Sequence, residues 1–491
     1  MINPVIPGFH PDPSICRVGD DYYLACSSFE YFPGVPIFHS RDLVRWRQIG
    51  NVLDRPGQLD LPADVPASGG IWAPTLRHHD GQFWLITKDV SGAGNFIVTA
   101  ERADGPWSDP VPIDLPGIDP DLAWDDEHNC YCTFSGLQQA VIDPKRGKIL
   151  EGPWPVWSGT GLAWPEGPHL HRRGDWWYLL MSEGGTHTGH AISVARSRSP
   201  RGPFEPAPRN PILSHRSTDR PVQALGHADL VETPGGDWWM VLLGTRPKGR
   251  FPRQHVLGRE TFLAPLTWVD DWPVVASVEA YEQPLLEESD RDDFDAAELS
   301  PRWISPRSRP PWSLTERPGW LTLHATGPTL DRPGATILAR RQQHHDVRVT
   351  ARLDPRDGRG GLTIRIDEAH HYDIEAGAGE VRAVCRIGPL RDTVARIPVP
   401  PGPVDLVIAT RTTGILPPTV TARTDLTEEP YGVAAAAPDT ITLGTATTVL
   451  AELDGRYLST EVATGFTGRV IGLYATEGTV SADWFDYRPA G

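Results

Sequence analysis

The stretch HPDPSICRVGDDYY, from His10 to Tyr23, decides the fold of this 491-residue chain. It places one carboxylate, Asp12, between two prolines and ends on an aromatic pair ten residues later, after a Gly-Asp turn. The same arrangement occurs four more times, with the upstream residue ten to twelve positions before the aromatic residues. These copies are Trp72 with Phe83-Trp84, Asp119 with Tyr131, Glu166 with Trp176-Trp177, and His227 with Trp238-Trp239. A repeat of this kind predicts five copies of one structural unit, each presenting a side chain from the same position.

The repeat predicts an all-β fold. Short apolar and aromatic runs between Gly, Pro and Asp turns recur along the chain, and helical periodicity is nearly absent. The aromatic positions are 61, 48, 45 and 62 residues apart, close to the roughly 40–50 residues of a four-stranded propeller blade. Residues 1–286 are therefore predicted to form a five-bladed β-propeller, with the five upstream residues converging near its central axis.

A second domain is predicted after Leu286. The charged, apolar-poor run Glu287–Asp293 has the composition of a linker. Beyond it, apolar and polar residues alternate, for example in Trp320–Ala325 and Asp346–Ala351. This pattern predicts a β-sandwich of two antiparallel sheets over residues 292–491.

Charge and cysteine content narrow the partners and the compartment. A net charge of −17 argues against nucleic acid or an anionic membrane as partner and suits a neutral substrate. Five cysteines, an odd and sparse set, do not predict a disulfide framework. Cys130 and Cys132 would share one face of a strand and are interpreted as core residues rather than metal ligands. The N-terminus has neither a basic nor an apolar segment typical of a signal peptide, so a cytoplasmic location is expected.

Three of the five upstream residues are carboxylates: Asp12, Asp119 and Glu166. Each stands beside Gly or Pro, which fixes the local backbone direction. Carboxylates crowded on one axis raise one another's pKa, which allows one to stay ionised as a base while another is held protonated as an acid. Hydrolysis of a glycosidic bond uses such a pair, and a separation of roughly 6.5–9.5 Å admits a water molecule and inverts the anomeric configuration.

Several ordered motifs resemble glycoside hydrolase family 43. The resemblance covers nearly the whole chain and is closest to a branch of β-xylosidases and α-L-arabinofuranosidases that carry an appended concanavalin-A-like β-sandwich. The motifs are Asn3–Arg17, Phe29–Val35, Gly70–Pro74, Gly117–Pro120, Glu166–His169, Glu183–Thr186 and Leu257–Thr261.

The resemblance implies a role for each catalytic carboxylate. Asp12 would be the general base that activates water, and Glu166 the general acid that protonates the leaving oxygen. Asp119 would orient Glu166 and favour its protonated form. Asp121, which departs from the small residue frequent at that position, is expected at the solvent-exposed rim.

The resemblance also implies the substrate-binding residues. Arg259 would bind substrate hydroxyls, the alternative being a surface ion pair with Glu260. Phe29 and Trp72 would be apolar walls of the terminal-sugar subsite, the alternative being blade core. Phe466, in a loop of the second domain, would close the pocket; alternatively, that domain is a carbohydrate-binding module or a rigid brace.

His227 would lie near the site, either as a hydrogen-bonding group or in contact with a central structural Ca²⁺ through water. A lone histidine without a carboxylate cage is a weak oxygen-ligand signal, so no metal is assigned and no cofactor is required.

The predicted function is that of an inverting exo-glycosidase. It would remove terminal β-D-xylosyl or α-L-arabinofuranosyl residues from hemicellulose-derived, pentose-containing oligosaccharides. Two alternatives remain: an endo-arabinanase or endo-xylanase with an open groove, and a non-catalytic carbohydrate-binding propeller. The sequence leaves the choice between the two sugars and the existence of a homo-oligomer open.

Overall fold

The structure, a computed structural model, describes residues 3–249, 252–280, 290–356, 358–412 and 438–490. Its described residues form an all-β protein whose helical segments are one 3-10 turn, Gly455–Leu458, and one short α-helix, Thr460–Ala463 (α1). No helix within these ranges has the length and apolarity that crossing a membrane requires. The first part of the predicted linker, residues 287–289, lies outside the described residues.

The N-terminal part contains five four-stranded antiparallel sheets among the described residues, numbered here 1 to 5 in chain order. The strands up to sheet 2 are Ser14–Val18 (β1), Asp21–Ala25 (β2), Tyr31–Phe32 (β3), Gly34–Ser40 (β4), Arg47–Leu53 (β5), Thr75–His79 (β6), Gln82–Asp89 (β7), Gly94–Ala100 (β8) and Val111–Ile113 (β9). Sheet 1 has the strand order β1-β2-β4-β5, and in each of the other four sheets the strands are ordered as they occur in the chain. Sheet 3 consists of Asp121–Trp124 (β10), Cys130–Phe134 (β11), Gln138–Asp143 (β12) and Lys148–Pro155 (β13). Sheets 4 and 5 consist of Glu166–Arg173 (β14), Trp176–Glu183 (β15), Ala191–Ser197 (β16), Glu205–Pro206 (β17), Gln223–Glu232 (β18), Trp238–Thr245 (β19), Glu260–Val269 (β20) and Trp272–Val275 (β21).

The aromatic pairs lie on the second strand of their sheets and explain how neighbouring sheets pack. Because successive strand residues point to opposite faces, Phe83 packs into the core shared with sheet 1, and Trp84 into the core shared with sheet 3. Equivalent cores join sheets 3 and 4, sheets 4 and 5, and sheets 5 and 1. The first strands of the sheets, β1, β6, β10, β14 and β18, contact one another in the same cyclic order. The N-terminal part is thus a propeller-type domain with the first strand of each sheet on the inside.

The C-terminal part is a two-sheet, concanavalin-like sandwich. The strands are Asp290–Asp292 (β22), Ser305–Pro306 (β23), Trp312–Ser313 (β24), Leu321–His324 (β25), Thr336–Arg341 (β26), Val347–Asp354 (β27), Arg359–Asp367 (β28), His370–Gly377 (β29), Glu380–Ile387 (β30), Leu390–Pro398 (β31), Val404–Thr412 (β32), Asp439–Thr445 (β33), Val449–Asp454 (β34), Val470–Glu477 (β35) and Thr479–Pro489 (β36). One sheet has the order β24-β25-β36-β27-β32-β33-β34, with β22 also pairing with β36, and the other sheet has the order β26-β35-β28-β29-β30-β31. Alternate residues of β27, such as Val349 and Ala351, are buried in the same core as Leu362 and Ile364 of the other sheet.

The two parts are in close contact. Strand β23 pairs with β3 of the N-terminal part. The backbones also touch at two glycines: a Cβ on Gly468 would lie 2.4 Å from the carbonyl carbon of Leu257, and one on Gly258 would lie 2.8 Å from the nitrogen of Gly468. Side chains at these positions would force the backbones apart. The glycine pair therefore brings the loop that carries Phe466 beside Arg259.

Candidate active site

Three of the repeated upstream residues share an unusual backbone conformation. Asp12 and Asp119 precede β1 and β10 by two residues, and His227 lies within β18; their φ angles are 56°, 54° and 47°. Positive φ is uncommon for residues other than glycine, although Asp and His tolerate it better than most. Such residues cluster at functional sites, where the surrounding structure holds them in place.

These residues meet at one pocket. All eight site residues predicted from the sequence line it. The lining consists of Asp12, Phe29, Trp72, Ala73, Ile118, Asp119, Glu166, Thr186, His227, Arg259 and Phe466.

Asp12 is held in its ionised form. Ser27 donates a hydrogen bond to its Oδ2 over 2.5 Å, and Arg259 Nη1 lies 3.6 Å and His227 Nδ1 3.5 Å from its Oδ1. Burial alone would raise the pKa of Asp12, but the Arg259 guanidinium, His227 and the Ser27 hydrogen bond together hold that pKa below its ordinary value. An ionised carboxylate in the pocket can take a proton from water.

Asp119 has the opposite tendency. Its Oδ2 accepts a hydrogen bond from the backbone N–H of Gly167 at 3.1 Å. Burial, followed by the negative charges of Glu166 and Asp12, raises the pKa of Asp119 well above the usual range. The pKa values of the two crowded carboxyl groups thus shift in opposite directions, that of Asp12 downward and that of Asp119 upward.

Glu166 lies beside a histidine that sequence reasoning missed. His190 Nε2 is 3.4 Å from Glu166 Oε1, and neither ring nitrogen of His190 makes a hydrogen bond within the described residues. The ring fits there because residue 226 is glycine: a Cβ on Gly226 would lie 1.9 Å from the ring. His190 belongs to no repeated motif. The sequence feature that accompanies it is Gly226, directly before His227, which leaves space for the imidazole ring.

Arg259 faces the pocket rather than Glu260. Its Nη1 donates to Thr186 Oγ1 at 2.8 Å, whereas Glu260 is paired with Arg246 at 2.7 Å. The Nε of Arg259 makes no hydrogen bond within the described part of the chain. The alternative of a surface ion pair is therefore wrong. Thr186 lies in one of the family-like motifs, but sequence reasoning assigned it no role.

The pocket wall is aromatic and comes from both parts of the molecule. Phe466 stacks on Phe29 with ring centroids 6.2 Å apart and meets Trp72 edge-on at 5.6 Å. The Arg259 guanidinium lies 5.1 Å from the Phe466 ring centroid. The backbone N–H of Phe466 donates to Ser68 Oγ at 2.8 Å, and the Trp72 indole donates to the Ser68 carbonyl at 2.9 Å. Ser68 thus anchors both rings.

We expect Phe466→Ala to raise KM about 10-fold, equivalent to roughly 1.4 kcal/mol, with little change in kcat. Aromatic contacts contribute about 0.5–1.5 kcal/mol each beyond burial, and the lost ring touches no reacting carboxylate in the described geometry. Steady-state kinetics on a chromogenic glycoside measure the effect. Tyr457→Ala, at a half-exposed position of the same part of the chain, is the control and should keep the wild-type KM. An unchanged KM in Phe466→Ala would show that the ring is not part of the substrate wall.

Arg259→Met is expected to shift the acidic limb of the kcat/KM profile to higher pH. Arg259 lowers the pKa of Asp12, and a general base works only when ionised. Without the guanidinium, Asp12 would take up a proton at a higher pH than in the wild type. Arg259→Lys keeps a positive charge and should keep the acidic limb near its original position. An acidic limb that stays in place in Arg259→Met would contradict the electrostatic role of Arg259.

Asp121 does not lie at the rim; that expectation was wrong. Asp121 is 0% exposed, and its Oδ1 accepts a hydrogen bond from Arg77 Nη2 at 2.7 Å. Arg77 Nη1 donates to Asp229 Oδ2 at 2.7 Å and to Ser14 Oγ at 3.1 Å. His169 Nδ1 lies 3.0 Å from Arg77 Nη2. These residues form an axial cluster to which each of the inner strands β1, β6, β10, β14 and β18 contributes.

The axial cluster adjoins the pocket residues. Ser14, Asp121 and Asp229 follow Asp12, Asp119 and His227 by two residues in the chain. The rings of His169 and His227 are in contact, with centroids 5.9 Å apart.

The residues at this axis do not fit a Ca²⁺ ion. Ca²⁺ takes six to eight oxygen ligands, but Asp121 and Asp229 are engaged by the Arg77 guanidinium, and the neighbouring groups His169, His171 and His227 are imidazoles. Burial lowers the pKa of His227 to about 4 despite the opposing charge of Asp12. The cation at this level of the axis is the side chain of Arg77.

Two family models match the chain. The model described as glycosyl hydrolases family 43 matches residues 1–273. The model described as the beta xylosidase C-terminal concanavalin A-like domain matches residues 291–488.

The chain is similar to known proteins over its whole length. It is 41% identical to a non-reducing end alpha-L-arabinofuranosidase from Bacteroides ovatus, over 99% of this chain and 94% of the relative. It is 40% identical to a xylosidase/arabinosidase from Butyrivibrio fibrisolvens, over 79% of this chain and 82% of the relative. Among solved structures, the xylan beta-1,4-xylosidase from Bacillus halodurans C-125 superposes with a TM-score of 0.85 at 31% identity, covering 99% of this chain and 100% of that one.

Proposed function

The chain belongs to glycosyl hydrolases family 43 and is a glycoside hydrolase, and we propose that it removes terminal β-D-xylosyl or α-L-arabinofuranosyl residues with inversion. The observation that carries this proposal is the pocket in which Asp12, whose pKa is lowered, Asp119, whose pKa is raised, and Glu166 meet beside an aromatic wall. The similar proteins are named for these two sugars.

In the proposed reaction the carboxylates have separate roles. Asp12 takes a proton from a water molecule as the water oxygen bonds to the anomeric carbon, and Glu166 donates its proton to the glycosidic oxygen as the bond to that oxygen breaks. Water attacks from the side opposite the leaving group, so one displacement inverts the configuration. Asp119, hydrogen-bonded to the backbone next to Glu166, fixes the acid's direction. Arg259 and Thr186 bind hydroxyls of the terminal sugar.

The proposal includes exo action within a five-bladed propeller. The five sheets, their cyclic cores and the ring of inner strands support five blades closing around the axis. Phe466 belongs to the sandwich and lines the pocket together with Phe29 and Trp72. A pocket walled in this way accepts a chain end, whereas an endo-acting relative needs an open groove.

The stereochemistry of the product tests the proposal. When a β-xyloside is the substrate, ¹H NMR in the first minutes of hydrolysis should show α-xylose appearing before mutarotation produces the β-anomer. First-formed β-xylose would contradict the inverting mechanism. Rates on 4-nitrophenyl β-D-xyloside and α-L-arabinofuranoside, measured in parallel, establish which sugar the pocket prefers.

We also propose that the enzyme acts inside the cell on short oligosaccharides. All five cysteines are free, and four of them are buried, as suits a reducing compartment. Activity that fractionates with the culture medium rather than with the cell extract would overturn this part of the proposal.

A further inference from the structure

Two hairpin turns of neighbouring sheets bring three metal-ligating side chains together away from the active site. His79 and Asp80 lie where β6 turns into β7, and His128 lies in the turn between β10 and β11. Asp80 Oδ2 is 3.4 Å from His79 Nε2 and 3.7 Å from His128 Nδ1. All three donor atoms lie within 4.8 Å of one another.

These separations suit ligands around a common ion. With metal–ligand distances of about 2.0–2.1 Å, neighbouring ligand atoms of a tetrahedral Zn²⁺ site lie roughly 3.3–3.4 Å apart. The contacts of Asp80 are of this length or slightly longer, and neither meets the criteria of a hydrogen bond. Within the described residues, none of the three side chains makes a hydrogen bond to any other group. The two contacts of Asp80 are at ion-pair distance and are ion pairs only when the imidazoles are protonated.

The surrounding residues hold two of the three ligands in place. The His79 ring stacks on Trp124 with centroids 4.5 Å apart and planes 10° from parallel. The turn that carries His128 is fixed by Asp125, whose Oδ1 accepts hydrogen bonds from the backbone N–H groups of Glu127 and Asn129 at 3.0 and 2.8 Å. Binding would therefore require little ordering of the backbone.

We propose that His79 Nε2, Asp80 Oδ2 and His128 Nδ1 bind a divalent transition-metal ion of the Zn²⁺ class, with water completing the coordination. Two imidazoles favour such an ion over Mg²⁺ or Ca²⁺, which prefer oxygen ligands. Asp80 and His128 are exposed, so the remaining coordination position faces solvent.

The site would be structural rather than catalytic. Strand β6 begins three residues after Trp72 of the pocket wall and ends at His79, so the ligands lie at the opposite end of the inner strand. The four residue steps of β6 from Thr75 to His79, at roughly 3.3 Å each, separate the two ends of the strand by about 13 Å. An ion there would join sheet 2 to sheet 3 through their turns.

Titration of the EDTA-treated, dialysed full-length enzyme with ZnCl₂ in an isothermal calorimeter tests the proposal. We expect one ion per chain, and a thermal midpoint that rises with Zn²⁺ concentration because the ion binds the folded state. Loss of an outer-shell partner alone weakens metal binding roughly 10–100-fold. His128→Ala and Asp80→Asn, both changes at exposed turn positions, alter a ligand itself and should weaken Zn²⁺ binding by more than that. His39→Ala is the matched control. His39 pairs with Asp21 at 2.7 Å in sheet 1 and belongs to no three-ligand group among the described residues. The His39→Ala variant should therefore bind Zn²⁺ like the wild type.

A spectroscopic readout distinguishes these ligands from scattered surface histidines. The EPR spectrum of the 1:1 Cu²⁺ complex should show hyperfine splitting from two nitrogens in the wild type and from one in His128→Ala. Activity on a chromogenic glycoside should be unchanged in His128→Ala. The proposal is overturned if Zn²⁺ does not bind the wild type, or if binding is the same in wild type, His128→Ala and Asp80→Asn.

Discussion

Replacement of Glu166 by alanine is expected to lower kcat on xylobiose by about 10³-fold, within the roughly 10²–10⁴-fold that a positioned general acid contributes. The sugar leaving group of xylobiose is a poor one unless its oxygen is protonated, and Glu166 lies in the pocket between Asp119 and His190. Without its carboxyl group, no other described group of the pocket is placed at the same position to supply the proton.

Two substrates with different leaving groups distinguish the general acid from the general base. On 2,4-dinitrophenyl xyloside, whose leaving group departs without protonation, Glu166→Ala should recover most of the wild-type rate. Asp12→Ala should be slow on both substrates, since both require an activated water molecule. Glu205→Ala, at an exposed ion pair with Arg196, is the control for loss of a carboxylate. If Glu166→Ala lowered kcat equally on the two substrates, Glu166 would not be the general acid.

Replacement of Arg77 by methionine is expected to lower the free energy of unfolding by about 3–5 kcal/mol, the usual cost of removing one partner from a buried charge pair. Methionine has similar bulk but leaves Asp121 and Asp229, both fully buried, without the cation that binds them. Urea denaturation at pH 7 measures the loss. Arg172→Met, also on an inner strand but in an exposed pair with Asp126, should cost no more than about 1 kcal/mol.

The pH dependence of this difference has a definite sign. Burial would raise the pKa of Asp229, but Arg77 and the neighbouring histidines hold it well below the usual value. The stabilisation is therefore fully present above the unfolded pKa of about 3.9, and is lost as the pH falls from there toward the lower pKa of the folded state. The difference in the free energy of unfolding between wild type and Arg77→Met should be constant near neutral pH and should become smaller at strongly acidic pH. A gap that widens on acidification would contradict the assignment.

The repeat made much of the site predictable. Each sheet contributes its upstream residue from the start of the inner strand, so residues at matching offsets in the sequence arrive at matching places in space. This is why Asp12, Asp119, Glu166 and His227 could be grouped by their offsets alone. The roles of acid and base, and the contribution of Phe466 from the second domain, came from family resemblance, because no local pattern links a loop of the sandwich to the pocket.

Contacts between different sheets escaped sequence reasoning. The interpretation of Asp121 as a rim residue failed because its partner, Arg77, is 44 residues away and belongs to another inner strand. Arg259 likewise had a plausible partner next to it in Glu260, but Arg246 on the neighbouring segment takes that carboxylate. His190 reaches Glu166 through the space that Gly226 leaves.

The sequence by itself determined the all-β class, the repeating unit and the grouping of Asp12, Trp72, Asp119, Glu166 and His227, because these depend on local turn chemistry and on the spacing of the repeat. Tertiary structure alone decided in which direction the pKa of each carboxyl group shifts. Asp12 and Asp119 have similar neighbours in sequence, but Arg259 and Ser27 stabilise the ionised form of the first, whereas burial beside Glu166 raises the pKa of the second. The pKa of a carboxyl group depends on the groups within a few ångströms of it, and those groups are brought there by the packing of neighbouring sheets against one another.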